Sequence, residues 1–155
     1  MVQLTGEYYC KVDAKGRVRL PSSLLKQLGG LSSAGFVINR GFERCLVMYP
    51  RLSWETVTKD IRGKLNQYGK DNRKFIRHFF RGATEVDLDS NSRILLPKVP
   101  AAEYANITNE IVLFAYFDKI EIWSKETYED MMNEEPSDYA DFADKLMGNN
   151  SQDND

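Results

Sequence analysis

Cysteine and histidine are nearly absent: Cys10, Cys45 and His78 are the only ones in 155 residues. Without CxxC spacing or a His cluster, neither a disulfide framework nor a zinc site is indicated, and both thiols are expected to act as small buried hydrophobes. No stretch approaches the ~18 continuous apolar residues of a spanning helix, and no early apolar run follows a basic start. No membrane segment or secretory leader is therefore expected, and the location is expected to be cytoplasmic. His78, beside Phe79 and Phe80, reads as a packed helix residue. A Cys45/His78 nucleophile pair has no local signature, so no enzyme activity, cofactor or small-molecule ligand is expected.

A small net charge of −2 hides a strong imbalance along the chain. Residues 1–81 hold 16 Lys and Arg against 6 Asp and Glu, whereas residues 82–155 hold 5 against 17. A basic half attracts polyanions through a sequence-independent field, and an acidic half limits that attraction or attracts the basic half of another copy. The alternative is two solvated faces of opposite sign.

One motif occurs twice, as Asp13-Ala-Lys-Gly-Arg17-Val-Arg-Leu20-Pro21 and Asp89-Ser-Asn-Ser-Arg93-Ile-Leu-Leu96-Pro97. The aspartates, arginines and prolines are each 76 positions apart, as are Gly6 and Gly82. That period is too long for a solenoid and suits two copies of one small module packed by pseudo-symmetry. Each half alone would bury too little surface to stand by itself.

Alternation of Tyr8, Cys10 and Val12 against Glu7, Tyr9 and Lys11 predicts a half-buried strand. Asp13 and Gly16 then make a hairpin turn, with residues 17–20 as the return strand and Pro21 ending the pairing. A short helix over 23–28 stops at Gly29-Gly30. Strands over 36–38 and 45–49 follow, then a helix over 52–65 with Ser53 as cap and Trp54, Val57, Ile61 and Leu65 as a core stripe. A second helix, capped by Asp71 or Asn72, runs to Arg81. The second half repeats the order: strand 85–88, turn 89–92, strand 93–96, a helix start at Pro97/Pro100, and strands 111–117 and 120–123. Helices are expected over 125–132 and after Pro136, and disorder from Gly148 to Asp155.

Gly6-Glu-Tyr, Asp13-Ala-Lys-Gly-Arg17, Arg40-Gly41-Phe, Cys45-Leu-Val-Met-Tyr-Pro50, Arg77-His-Phe-Phe-Arg-Gly82-Ala and Ile120-Glu-Ile-Trp123-Ser-Lys-Glu occur in order. Together they resemble the MraZ family of bacterial transcriptional regulators, over about Leu4 to Met132. The resemblance implies an α+β, mainly β fold: an AbrB-like double-split, swapped-hairpin β-barrel from two tandem repeats with short flanking helices. The domain expectation is a first repeat over 1–58, a basic helical linker over 59–81, a second repeat over 82–135, and an acidic, partly disordered tail over 136–155. The resemblance also implies homo-oligomeric rings, octamers or larger. It further implies binding to direct repeats in double-stranded DNA upstream of the division and cell-wall gene cluster, with control of the chain's own operon and nucleoid association.

A β-ribbon fits the major groove, where an arginine can bond guanine O6 and N7 together. By match to the family motif, Arg17 is the leading base contact, with Lys15, Gly16 and Arg19 beside it; the alternative is that Asp13 and Arg17 simply pair across the turn. In the second copy Ser92 stands where the family usually has Gly, and Asn91 is expected to take the left-handed conformation instead. Arg93, near Glu85, Asp87 and Asp89, is a weaker DNA candidate and reads more readily as a structural partner of carboxylates. The linker offers Arg73, Arg77 and Arg81, spaced i to i+4, either as phosphate contacts or as an oligomer interface to a neighbour's acidic half, the latter slightly favoured.

Overall fold

A computed structural model describes residues 2–134 and 137–152, the side chains of 149–152 excepted. It divides into two compact units, residues 1–125 and 126–155. In the first unit the strands are β1 (Leu4–Lys11), β2 (Arg17–Arg19), β3 (Phe36–Arg40), β4 (Leu46–Pro50), β5 (Thr84–Val86), β6 (Arg93–Leu95), β7 (Glu110–Phe117) and β8 (Lys119–Ser124). Its helices are α1 (Ser22–Leu28), α2 (Arg51–Lys64) and α3 (Lys70–Phe80), with a 3-10 turn over Gly29–Ala34 and a π-helical turn over Pro100–Tyr104. The second unit carries α4 (Lys125–Met132) and α5 (Tyr139–Gln152).

Six strands form one antiparallel sheet in the order β1-β7-β8-β4-β3-β5, and β2 pairs with β6 as a separate two-stranded ribbon. Among the described residues this sheet does not close: β1 and β5 are its edges. The expected barrel is thus an open sheet plus a ribbon. The local hairpin is corrected as well. After the turn, Val12 and Val18 form a single bridge, and then β1 leaves to pair with β7 while β2 pairs with β6. The same exchange occurs in the second half, where β5 pairs with β3.

A pseudo-dyad relates the halves. Val18 faces Ile94 in the ribbon and Leu46 faces Ile122 in the sheet, and each pair is 76 positions apart (94 − 18, 122 − 46). All four are fully buried. Alternation fixes which face meets the core: Phe36, Ile38, Leu46, Met48, Ile111, Leu113, Ile120 and Ile122 join the ribbon's Val18 and Ile94 and α1's Leu24 and Leu28 in one cluster. Each such side chain contributes about 1.5–3 kcal/mol on leaving water.

Strands β3 and β4 are buried on both faces, because α2 and α3 cover the side that does not meet the core. Trp54 of α2 packs against Tyr49 at 5.4 Å and stacks with Phe79 of α3 at 6.2 Å between centroids. At the end of α3, Asn39 Nδ2 donates to Phe79 O and Arg40 Nη2 to His78 O. These contacts seat α3, but no α3 side chain is fully buried, and the expected Trp54–Leu65 stripe is half-buried rather than core. His78 is exposed, so it is not the packed residue its neighbours implied.

Several termini differ from expectation for local reasons. Helix α2 begins at Arg51, directly off β4, and the Arg51 N–H finds Gly35 O at 3.2 Å, so Ser53 lies buried in the first turn rather than capping. Helix α3 starts after Gly69 with no side-chain cap, so neither Asp71 nor Asn72 caps it; Asn66 Oδ1 instead accepts from the Tyr68 and Gly69 N–H groups and holds the turn before the helix. Helix α5 continues through Gly148 to Gln152, where disorder was expected; 153–155, Glu135 and Pro136 lie outside the described residues. Cys45 is buried and Cys10 partly so, and both are free thiols.

Candidate nucleic-acid interface

Asp13 organises the first turn. Its Oδ1 accepts from the backbone N–H of Lys15 and Arg17, each at 2.9 Å, and its Oδ2 accepts from Arg17 Nε at 2.8 Å. The turn closes with Gly16 N–H on Asp13 O at 3.0 Å and Asp13 N–H on Arg17 O at 2.9 Å. These donors, the Arg17 backbone N–H foremost, hold the Asp13 carboxyl below its ordinary value of 3.8.

The second turn repeats this bond for bond. Asp89 Oδ1 accepts from Asn91 N–H at 2.8 Å and Arg93 N–H at 3.0 Å, and Oδ2 from Arg93 Nε at 2.8 Å. Its carboxyl is likewise lowered, chiefly by the Arg93 backbone N–H. The left-handed position falls on Ser92 at φ 60°, not on the expected Asn91, matching Gly16 at φ 83°. The hydrogen-bond frame dictates the backbone there, and serine bears a strain of about 1–2 kcal/mol that glycine avoids.

The turns also lock each other. Leu20 N–H bonds Ser92 O, and Leu96 N–H bonds Gly16 O, both at 3.0 Å, so each turn terminates the other repeat's strand. In the ribbon between them Arg17 stands opposite Leu95, and Arg19 opposite Arg93. Val18 and Ile94 point inward and are fully buried, so the period of two puts Arg17, Arg19, Arg93 and Leu95 together on the outer face.

Arg17 and Arg93 each use Nε on their aspartate, and their Nη groups have no hydrogen-bond partner among the described residues. The pairing alternative and the base-contact reading are therefore compatible. Nε fixes the guanidinium plane, and the side chains are 30% and 24% exposed, which leaves the two Nη groups as a fork suited to two acceptors. The ordering entropy of a long side chain is then met largely during folding. Arg93 sits on Asp89, as the carboxylate reading expected, while Glu85 pairs with Arg51 at 2.8 Å. Yet its geometry equals that of Arg17, and it lies beside Arg19; sequence charge alone hid this, because strand exchange brings the two repeats onto one face.

The linker arginines separate. Arg73 Nη1 donates to Tyr68 O at 2.6 Å and Gln67 O at 3.2 Å, bracing the loop before α3. Arg77 and Arg81 remain exposed, with Lys70 and Lys74 nearby on α3. Cys45 is fully buried and its thiol is pushed well up, first by burial and then by Glu121 and Glu43, whereas His78 is exposed. Among the described residues no group of three or more His, Cys, Asp or Glu could hold a metal, and no helix is long and apolar enough to cross a membrane.

Comparison with known proteins agrees with this internal duplication. The family model described as "MraZ protein, putative antitoxin-like" matches residues 3–77 and 79–148, segments whose starts are 76 positions apart (79 − 3). Proteins named "Transcriptional regulator MraZ" are similar over nearly the whole chain. The one from Christiangramia forsetii is 44% identical over 154 residues, covering 99% of this chain and 98% of that protein. The one from Flavobacterium psychrophilum is 40% identical over 154 residues (99% and 97%), and that from Clostridium tetani 37% over 141 residues (91% and 94%).

Proposed function

The chain belongs to the MraZ family, and from that premise we propose that it is a DNA-binding transcriptional regulator that reads the major groove with the β2–β6 ribbon. The observation that carries this is the single outer face holding Arg17, Arg19 and Arg93 over a buried Val18–Ile94 pair. A two-stranded ribbon enters a major groove about 12 Å wide, and an arginine fork there bonds guanine O6 and N7. Lys15, exposed at the first turn, supplies a point charge for phosphate, and Gly16 lets the backbone approach closely.

The finer reading follows the family resemblance. The sites are direct repeats upstream of the division and cell-wall gene cluster, the chain's own operon is among the targets, and the protein works in the cytoplasm at the nucleoid. No catalytic step is part of this reading. A homo-oligomeric ring of eight or more copies would place several ribbons on repeated sites, so modest contacts multiply into firm binding. The 16-to-6 and 5-to-17 charge split between residues 1–81 and 82–155 supports association of unlike surfaces of two copies, with Arg77 and Arg81 as candidate contacts. In that reading Arg73 supports the loop from within.

The test is fluorescence anisotropy of the full chain on duplex DNA from upstream of its gene, beside a scrambled duplex, through a salt series. The expected result is binding that favours the upstream duplex and weakens steeply with salt. Equal binding to both duplexes would favour a protein-interaction module instead.

A further inference from the structure

The ribbon is symmetric in backbone but not in side chains. Arg17 and Arg93 are dyad mates, whereas the mate of Arg19 is Leu95 (95 − 19 = 76). One end of the outer face thus carries Lys15, Arg17 and Leu95, and the other carries Asn91, Arg93 and Arg19. Leu95 is 57% exposed although both ribbon neighbours in sequence, Ile94 and Leu96, are buried. One methyl lies over the first turn, 3.8 Å from where a Cβ on Gly16 would sit. It is therefore the apolar group on a face otherwise made of arginine side chains, directly across the ribbon from Arg17.

We infer that Leu95 is a specificity residue that recognises thymine through its C5-methyl group, at the ribbon position where the mate Arg19 takes guanine. This rests on the DNA reading proposed above and adds that the recognised half-sites differ. Thymine is the base that presents an apolar group in the major groove, so an apolar side chain of this reach is complementary to it and to no other edge. An arginine at the same position would favour guanine. The dyad-related ends of one chain then read unlike bases, which gives the bound protein a direction along the duplex.

The experiment uses the full chain, wild type beside Leu95→Ser and Leu95→Arg, each selecting from a pool of randomised duplex DNA. The wild-type duplex is then remade with deoxyuridine in place of one thymine at a time. One substitution should weaken wild-type binding about fourfold, the loss of a single buried methyl, and leave Leu95→Ser unaffected. Leu95→Arg should enrich guanine at that position, a gain that misfolding cannot imitate. If Leu95→Ser keeps both the selected site and the deoxyuridine response, the inference fails while the DNA reading stands. If the wild type enriches no sequence at all, both fail.

Discussion

The two turns of this protein share one hydrogen-bond frame and differ at their tips. Asp13 and Asp89 each hold two backbone N–H groups and an arginine Nε at 2.8–3.0 Å, yet the frame carries Lys15 and Gly16 in one repeat and Asn91 and Ser92 in the other. Duplication preserved what sets the arginine in place and left free what surrounds it. Conserved geometry and divergent chemistry are thus separable, and each turn can be altered against its mate.

The largest effect should come from the element the turns share. Ile94→Ala empties a fully buried site beneath the ribbon and should cost about 3 kcal/mol in urea unfolding, loosening both turns at once. Next is the left-handed residue. Gly16→Ala, at φ 83° with only Leu95 Cδ1 nearby at 3.8 Å, should cost about 1–2 kcal/mol from backbone strain. Ser92→Gly, the reciprocal change, should gain up to about 1 kcal/mol by the same measurement. A gain at Ser92 equal to the loss at Gly16 would mark the two positions as equivalent.

Smaller differences test the tips. Lys15→Ala should flatten the slope of log affinity against log salt by about 1, while Asn91→Ala should leave that slope unchanged. The aspartates give a pH signature with a definite sign. Both carboxyls are held below their ordinary 3.8, so their contribution is complete above that value and is lost as pH falls through the lower folded values. Asp13→Asn and Asp89→Asn should each blunt acid unfolding below about pH 4, equally for the two turns, as followed by circular dichroism.

Much of this was legible in the residues. The 76-residue offset announces the dyad, and the Asp-to-Arg spacing with Gly16 announces the first turn. Period-two alternation predicts the burial of β1 but not its partner, since a turn signal implies a local hairpin and cannot report that β1 crosses to β7. The same holds for Arg93: its nearby Asp89 is legible as a partner, but its place opposite Arg19 on the ribbon is not. Helical spacing of Trp54, Val57, Ile61 and Leu65 showed an apolar stripe, but its depth depends on what covers it, and α3 covers it only partly. Spacing groups Arg73 with Arg77 and Arg81, because periodicity does not reveal the loop carbonyls it braces.

The central claim is that one shared ribbon face, not the first repeat alone, reads DNA. The most direct measurement is the affinity of wild type, Arg17→Ala and Arg93→Ala for one selected duplex at fixed salt. The account predicts that both substitutions weaken binding about fivefold or more, about 1–3 kcal/mol each, and to similar extents. Loss in Arg17→Ala with full affinity in Arg93→Ala would contradict it.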